Sequence, residues 1–339
     1  MSPLAEYLAS PWTDVDGRQS SHGDSVLALD GIRGLAVLVV LASHTSVFGM
    51  TGQGSLGVFL FFTLSGFVLT LPFADRPERI FQPREIWHYF ANRFLRIVPA
   101  FVVAVLFISW QIAEPWKWVW LNLSFFSGWN HFWSVAEEVR FYFLFPFVIA
   151  GLALLPSRPY RIAALFVLLL LAWQFQGFHR VDLMIKDMSV PLYFFFFVAG
   201  MLACLTYRAL ARIDLGHSVD VLAPLAALGV MYFNGWEHPG LWCLMFFLLL
   251  FGASNSQKAF TSRLFRSWIM RHLGLLSYSL YLFQVPVMLL MLPLELEGIG
   301  LFAATFAATY LVAVVSYLAV EKPFLMLKPK RTKTEIVMA

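Results

Sequence analysis

The chain has 339 residues, of which 60 % are hydrophobic and 13 % charged, against roughly 45–50 % and about 25 % in soluble domains. With a mean hydropathy of +0.72 and 35 phenylalanines, there is too little polar surface to cover such a core in water. That excludes a soluble globule, a disordered chain and a collagen-like repeat; the net charge of +4 is modest, and no nucleic-acid partner is expected.

Residues 1–28 are polar and carry Glu6, Asp14, Asp16, Arg18 and Asp24. They lack the basic segment and apolar run of a cleavable leader, and read as a cytoplasmic tail. Apolar runs of membrane-crossing length follow near 30–50, 56–74, 95–113, 132–155, 161–177, 190–207, 219–235, 239–254, 273–293 and 300–320. The stretch Trp116–Gly128 is too short to cross and reads as interfacial or re-entrant, with Trp116, Trp118 and Trp120 at headgroup level. Barrel strands would alternate apolar and polar residues, and runs such as Tyr193–Val198 do not. The pattern predicts an all-α polytopic integral membrane protein with about ten transmembrane helices. One domain covers residues 29–324, and 325–339 form a basic tail. Cys204 and Cys243 lie in apolar runs, so no disulfide framework is implied. With both termini in the cytoplasm, ten spans leave only Lys117, Arg140, Arg180 and Lys186 of the 24 basic residues outside or in the outer leaflet. That asymmetry argues for a plasma or inner membrane protein in this orientation.

Polar groups inside spans are costly and point to function. The first span opens Leu29-Asp30-Gly31-Ile32-Arg33-Gly34 and reaches His44. Arg33 and His44 are eleven residues apart, close to three helical turns, so they share a face about 16 Å apart along the axis. The alternative is a snorkelling Arg and a hydrogen-bonded core His. In the fourth span Ser134 is followed by Glu137, Glu138 and Arg140. Counted from the outer surface, these carboxylates lie level with His44, as a base and its orienting carboxylate would. Against this, Glu137 and Arg140 are spaced to form an ion pair on one helix face. Ser65 and Gly66 in the second span are explained equally by close helix packing. Arg93 and Arg96 open the third span and, with Arg33, Arg76, Arg79 and Arg84, form a basic rim suited to phosphates or anionic headgroups. The other seven histidines show no metal-ligand spacing, and no phosphate loop, dinucleotide fingerprint or nucleophile elbow occurs.

In order along the chain, six segments resemble the motifs of the type 3 membrane acyltransferase family. They are Arg33 with ten residues before His44; Gly57-Val58 through Ser65-Gly66-Phe67; Arg93-x-x-Arg96-Ile97-x-Pro99; Phe132-Trp133-Ser134 to Phe141-Tyr142; Ser277–Leu282; and Glu321-Lys322-Pro323-Phe324. The resemblance implies an O-acyltransferase of about ten spans. His44, Arg33 and Glu138 would be its catalytic residues, and Arg93, Arg96, Ser65, Gly66 and Phe67 its donor-binding residues. Trp133, Ser134, Tyr142 and Tyr278 would meet the acceptor. Aligned without gaps, the family's principal Glu falls on Glu138, and Glu137 stands where an apolar residue is usual. The family often has an acidic residue at Phe59, a His at Gln284 and a further Arg at Asn92, so no polar role is carried to Phe59 or Gln284. Some relatives carry a soluble esterase-like domain after the last span.

The expected reaction moves an acyl group, acetyl in the simplest case, from cytoplasmic acyl-CoA to a hydroxyl of a glycan, lipid-linked sugar or secondary metabolite. No cofactor or metal is expected to be held permanently. The rival from another class is a proton-coupled transporter or exporter using His44 and Glu138 as a relay, but no internal repeat supports it. The polar loop Gly177–Ser189, with Arg180, Asp182, Lys186 and Asp187, could meet a sugar, although a solvated loop would look the same.

Overall fold

The computed structural model describes residues 3–21, 24–47, 54–112, 115–125, 128, 130–178, 190–210, 217–218, 220–221, 225, 239–255 and 259–329. These are mostly helical, with no strand among them. In chain order the helices are α1 Pro3–Ser21, α2 Asp24–His44, α3 Ser55–Thr70, α4 Pro83–Ser109, α5 Pro115–Leu123, α6 Trp133–Ala153, α7 Arg158–Phe178, α8 Val190–Ala209, α9 Pro239–Asn255, α10 Phe260–Arg266, α11 Trp268–Met291 and α12 Gly298–Ser316. A π-helical turn, Tyr317–Glu321, then joins α12 to the short α13, Lys322–Met326.

Among the described residues, five stretches are long and apolar enough to cross a membrane: Leu27–His44, Ser55–Phe73, Pro83–Ser109, Trp268–Leu294 and Gly298–Met326. Two shorter apolar helices are Tyr193–Ala209 and Trp242–Ser254. The expectation of ten spans is thus met in class rather than in number. The expected fourth span is α6, whose 21 residues include Glu137, Glu138 and Arg140, and the expected fifth is α7. The expected span at 219–235 lies, but for isolated positions, outside the described residues. Helix α4 starts well before the expected position 95, because Pro83 at its first turn sets φ for a helix and needs no donor. Helix α5 has nine residues, too few to cross, with Trp116 and Trp120 exposed.

Two helix pairs pack backbone to backbone. A Cβ on Gly274 of α11 would stand 1.8 Å from the Asp30 carbonyl oxygen of α2, and one on Gly34 would stand 2.4 Å from that of Met270. Likewise a Cβ on Gly66 of α3 would meet the Phe197 carbonyl of α8 at 2.0 Å, and one on Gly200 would meet that of Thr63 at 1.9 Å. Small residues are what allow apolar helices without a hydrophobic driving force between them to gain close contact. Between these pairs stacked rings fill the core: Phe197 lies 4.6 Å from Phe62 and 4.0 Å from Phe141, centroid to centroid.

The polar segment expected as a tail is a docked helix. In α1, Tyr7 donates to the Leu318 carbonyl at 2.6 Å, and Asp14 accepts from Tyr317 (2.8 Å) and Lys322 (3.0 Å). Arg271 donates to the Val15 carbonyl, and His272 Nδ1 lies 3.0 Å from that of Pro11. The π-helical turn carries buried Glu321, which accepts from Ser279.

Candidate active site

Five helices meet around a cavity of about 80 Å3. Arg33 reaches it from α2, Ser65 from α3, Arg93 and Arg96 from α4, Ser134, Glu138 and Tyr142 from α6, and Tyr278 and Tyr281 from α11. Phe61, Phe62 and Ile97 supply apolar wall. Space on this scale takes several waters or a small acyl group.

Local sequence explains why these side chains converge. In Asp30-Gly31-Ile32-Arg33-Gly34 the glycines face neighbouring backbones; a Cβ on Gly31 would stand 1.9 Å from the Phe265 carbonyl oxygen. That close packing carries Arg33 to the cavity wall, where Asp30, one turn earlier, holds the guanidinium at 2.7 Å. On α4 the Arg93-x-x-Arg96-Ile97 run places three residues on the wall. The Arg93 guanidinium sits 5.9 Å from the centre of the Tyr142 ring, and its Nε is buried without a hydrogen-bond partner among the described residues.

Glu138 is the polar centre of the cavity. Its Oε1 accepts from Ser65 Oγ at 2.6 Å and from Tyr142 OH at 2.5 Å. Glu138 and Tyr142 are one turn apart on α6, whereas Ser65 arrives from α3. The expected pairing of Glu138 with His44 is therefore not what the structure shows: equal depth along two helices does not bring two side chains to the same azimuth. The neighbouring Glu137 makes the ion pair with Arg140 at 2.6 Å, consistent with spacing on one helix face.

At the far end of the cavity Tyr281 OH donates to the His131 carbonyl at 2.6 Å and lies 2.6 Å from Ser134 Oγ. His131 Nε2 is 3.0 Å from the Leu282 carbonyl. His44 is half-buried at the end of α2. Helix α2 is unbroken from Arg33 to His44, so the eleven-residue register holds. His44 is nevertheless absent from the cavity wall.

Of the other expected site residues, Ser65, Arg93, Arg96, Ser134, Tyr142 and Tyr278 line the cavity, and Tyr278 OH donates to the Ile97 carbonyl at 2.8 Å. Gly66 and Phe67 do not: Gly66 is pressed against α8, and the fully buried Phe67 packs near Tyr207. Trp133 packs on Tyr193 and Phe62 beside the cavity rather than in its wall. From the basic rim, Arg79 is paired with Glu85. The loop residues 179–189 lie outside the described residues. Tyr281 was not singled out from the sequence; its spacing of three from Tyr278, which places both on one helix face, was the available signal.

Comparison with known proteins agrees with the class of site. The model of a family described as acyltransferase domain matches residues 26–319, which include every residue of the cavity wall. The chain belongs to that family of membrane acyltransferases. It is 22 % identical over 346 residues to the peptidoglycan O-acetyltransferase OatA of Listeria monocytogenes, covering 88 % of this chain and 55 % of the relative. It is 26 % identical over 358 residues to the putative peptidoglycan O-acetyltransferase YrhL of Bacillus subtilis (90 % and 56 %). It is 24 % identical over 346 residues to the O-acetyltransferase OatA of Staphylococcus aureus (87 % and 56 %). The chain thus spans little more than half the length of these relatives. No solved structure matches it.

Proposed function

We propose that this chain transfers an acyl group, acetyl in the simplest case, from acyl-CoA to a hydroxyl on a glycan, a lipid-linked sugar or a secondary metabolite. The observation that carries the reading is the gathering of Arg33, Arg93 and Arg96 with the Glu138–Ser65–Tyr142 cluster in one cavity. Three guanidiniums match the phosphates of a coenzyme A donor, as charge-assisted, often bidentate, hydrogen bonds require. The names of the relatives support acetyl as the group and a carbohydrate as the acceptor.

The arginines hold the donor at the basic end, which we place in the cytoplasm with both termini. The pantetheine arm extends through the cavity along α2, and the thioester reaches His44 by parting Tyr281 from His131. His44 takes the proton of the acceptor hydroxyl as its oxygen bonds to the thioester carbonyl carbon. The carbon–sulfur bond then breaks, and the leaving thiolate takes the proton back from the imidazolium. Glu138 orders the Ser65 and Tyr142 hydroxyls along the arm's path rather than orienting His44.

The test is incubation of the purified protein in bilayer discs and vesicles with labelled acetyl-CoA. Release of free thiol, or label on an added glycan, is expected. Uptake of label into vesicles without thioester cleavage would replace this reading with the transporter.

A further inference from the structure

Gln284 is 1 % exposed, and neither its Nε2 nor its Oε1 has a hydrogen-bond partner among the described residues. Leaving a buried donor or acceptor unmade costs about 1–3 kcal/mol per group, so a fully buried amide with both ends empty calls for an explanation. Its surroundings supply one. The amide faces the imidazole of His44, whose Nδ1 is buried and has no hydrogen-bond partner within bonding geometry among the described residues. Beside it a second cavity of about 10 Å3, walled by Leu38, Leu41, Phe306 and Thr309, leaves the amide room to turn. Leu41 is three residues before His44 on α2, so the amide and the imidazole share one side of the α2–α11 contact.

We propose that Gln284 is the positioning residue of His44: its Oε1 accepts the proton on Nδ1, fixing the tautomer that leaves Nε2 as the base toward the acceptor. The assignment of a base role to His44 rests on the function proposed above; the contact itself does not. A carbonyl-type acceptor on one ring nitrogen fixes which nitrogen carries the proton, and hence where the free lone pair points. An amide does this without a full charge, so it orients the ring while stabilising an imidazolium less than a carboxylate would. Among the described residues, His131 of the 3-10 turn before α6 is close enough to interact with His44 electrostatically. Tyr281, on the cavity wall, holds the His131 carbonyl, and the α6 charges are engaged elsewhere, Glu137 with Arg140 and Glu138 with Ser65 and Tyr142.

The experiment reads His44 directly and then through turnover. Carbethoxylation of His44 by diethyl pyrocarbonate, followed by mass spectrometry against pH, gives the midpoint of its titration with no substrate present. Gln284→Glu places a carboxylate on the ring nitrogen and is expected to raise that midpoint by about one unit or more. Gln284→Leu removes the acceptor and is expected to lower kcat for acetyl-CoA cleavage roughly 10–100-fold, leaving KM for the donor unchanged. Size-exclusion profiles and thermal midpoints of both variants identify a folding defect, and Gln284→Asn, shorter by one methylene, then serves in place of a variant that misfolds. An unmoved midpoint in a folded Gln284→Glu protein overturns the proposal, as does wild-type kcat in Gln284→Leu. His44→Ala run in parallel separates the two readings: full turnover there defeats the base assignment, whereas the carbethoxylation midpoint still decides the contact.

Discussion

In the proposed reaction, removing the His44 imidazole takes away the group that receives the acceptor's proton, but none of the guanidiniums proposed to hold the donor. His44→Ala should therefore cost about 10²–10⁴ in rate, with acetyl-CoA affinity near wild type by calorimetry. Arg33→Ala and Arg93→Ala should do the reverse. Each removes a charge-assisted contact worth about 1.5–3 kcal/mol, which is roughly 10- to 150-fold in donor affinity. Arg93→Lys should rescue little, since an ammonium does not reproduce the planar fork. Glu138 calls for a different pair of variants. Glu138→Ala leaves the Ser65 and Tyr142 hydroxyls without their acceptor, and each stranded group costs about 1–3 kcal/mol. Glu138→Gln keeps one acceptor oxygen. The first should lower the thermal midpoint clearly more than the second; equal midpoints would mean that these hydrogen bonds carry no stability.

Helices meet where side chains are missing. Gly274→Leu would drive a side chain into the Asp30 carbonyl and Gly66→Leu into that of Phe197, and backbone cannot yield as a flexible side chain does. Both variants should lower the thermal midpoint in detergent or fail to fold. Gly151→Ala on α6, with open space around its Cα, should be neutral or gain up to about 1 kcal/mol from helix propensity. A destabilised Gly151→Ala would show that the open side of α6 is occupied in the bilayer. This contrast also shows what could be read in advance. The existence of α2, α3, α4, α11 and α12 follows from hydropathy, and the Arg33–His44 register from helix geometry, because both are properties of one segment. The i,i+3 pair of Glu137 with Arg140 was legible for the same reason. What was not legible depends on rotation between segments. Gly66 and Phe67 read as neighbours of Ser65 in a binding motif, yet helical rotation sends Ser65 to the cavity and Gly66 to α8. Glu138 and His44 were matched in depth, and depth carries no azimuth. The roles of Tyr281 and Gln284 likewise became visible only once α11 was set against α2 and α6.

At the scale of the whole molecule, the proposed orientation makes a simple prediction. Green fluorescent protein fused after residue 339 should fluoresce, and alkaline phosphatase fused there should be inactive, if the basic segments hold that end in the cytoplasm as proposed. The reverse pattern would put the three cavity arginines on the wrong side for a cytoplasmic donor. The docking of α1 is testable on the same scale. Asp14→Ala removes the acceptor shared by Tyr317 and Lys322, so hydrogen exchange should quicken in α1 while α3 and α8 keep their protection.

The contact between Tyr7 and Leu318 joins positions 311 residues apart. At about 5–20 residues per second, a ribosome needs roughly 15–60 s between making the two halves of that bond. Through most of that interval the α1 surface has no berth, because α11 and the π-helical turn against which it packs have yet to emerge. Seating α1 is therefore one of the closing acts of biogenesis, and a chain halted before Trp268 should leave α1 open to whatever chaperone or protease reaches it first.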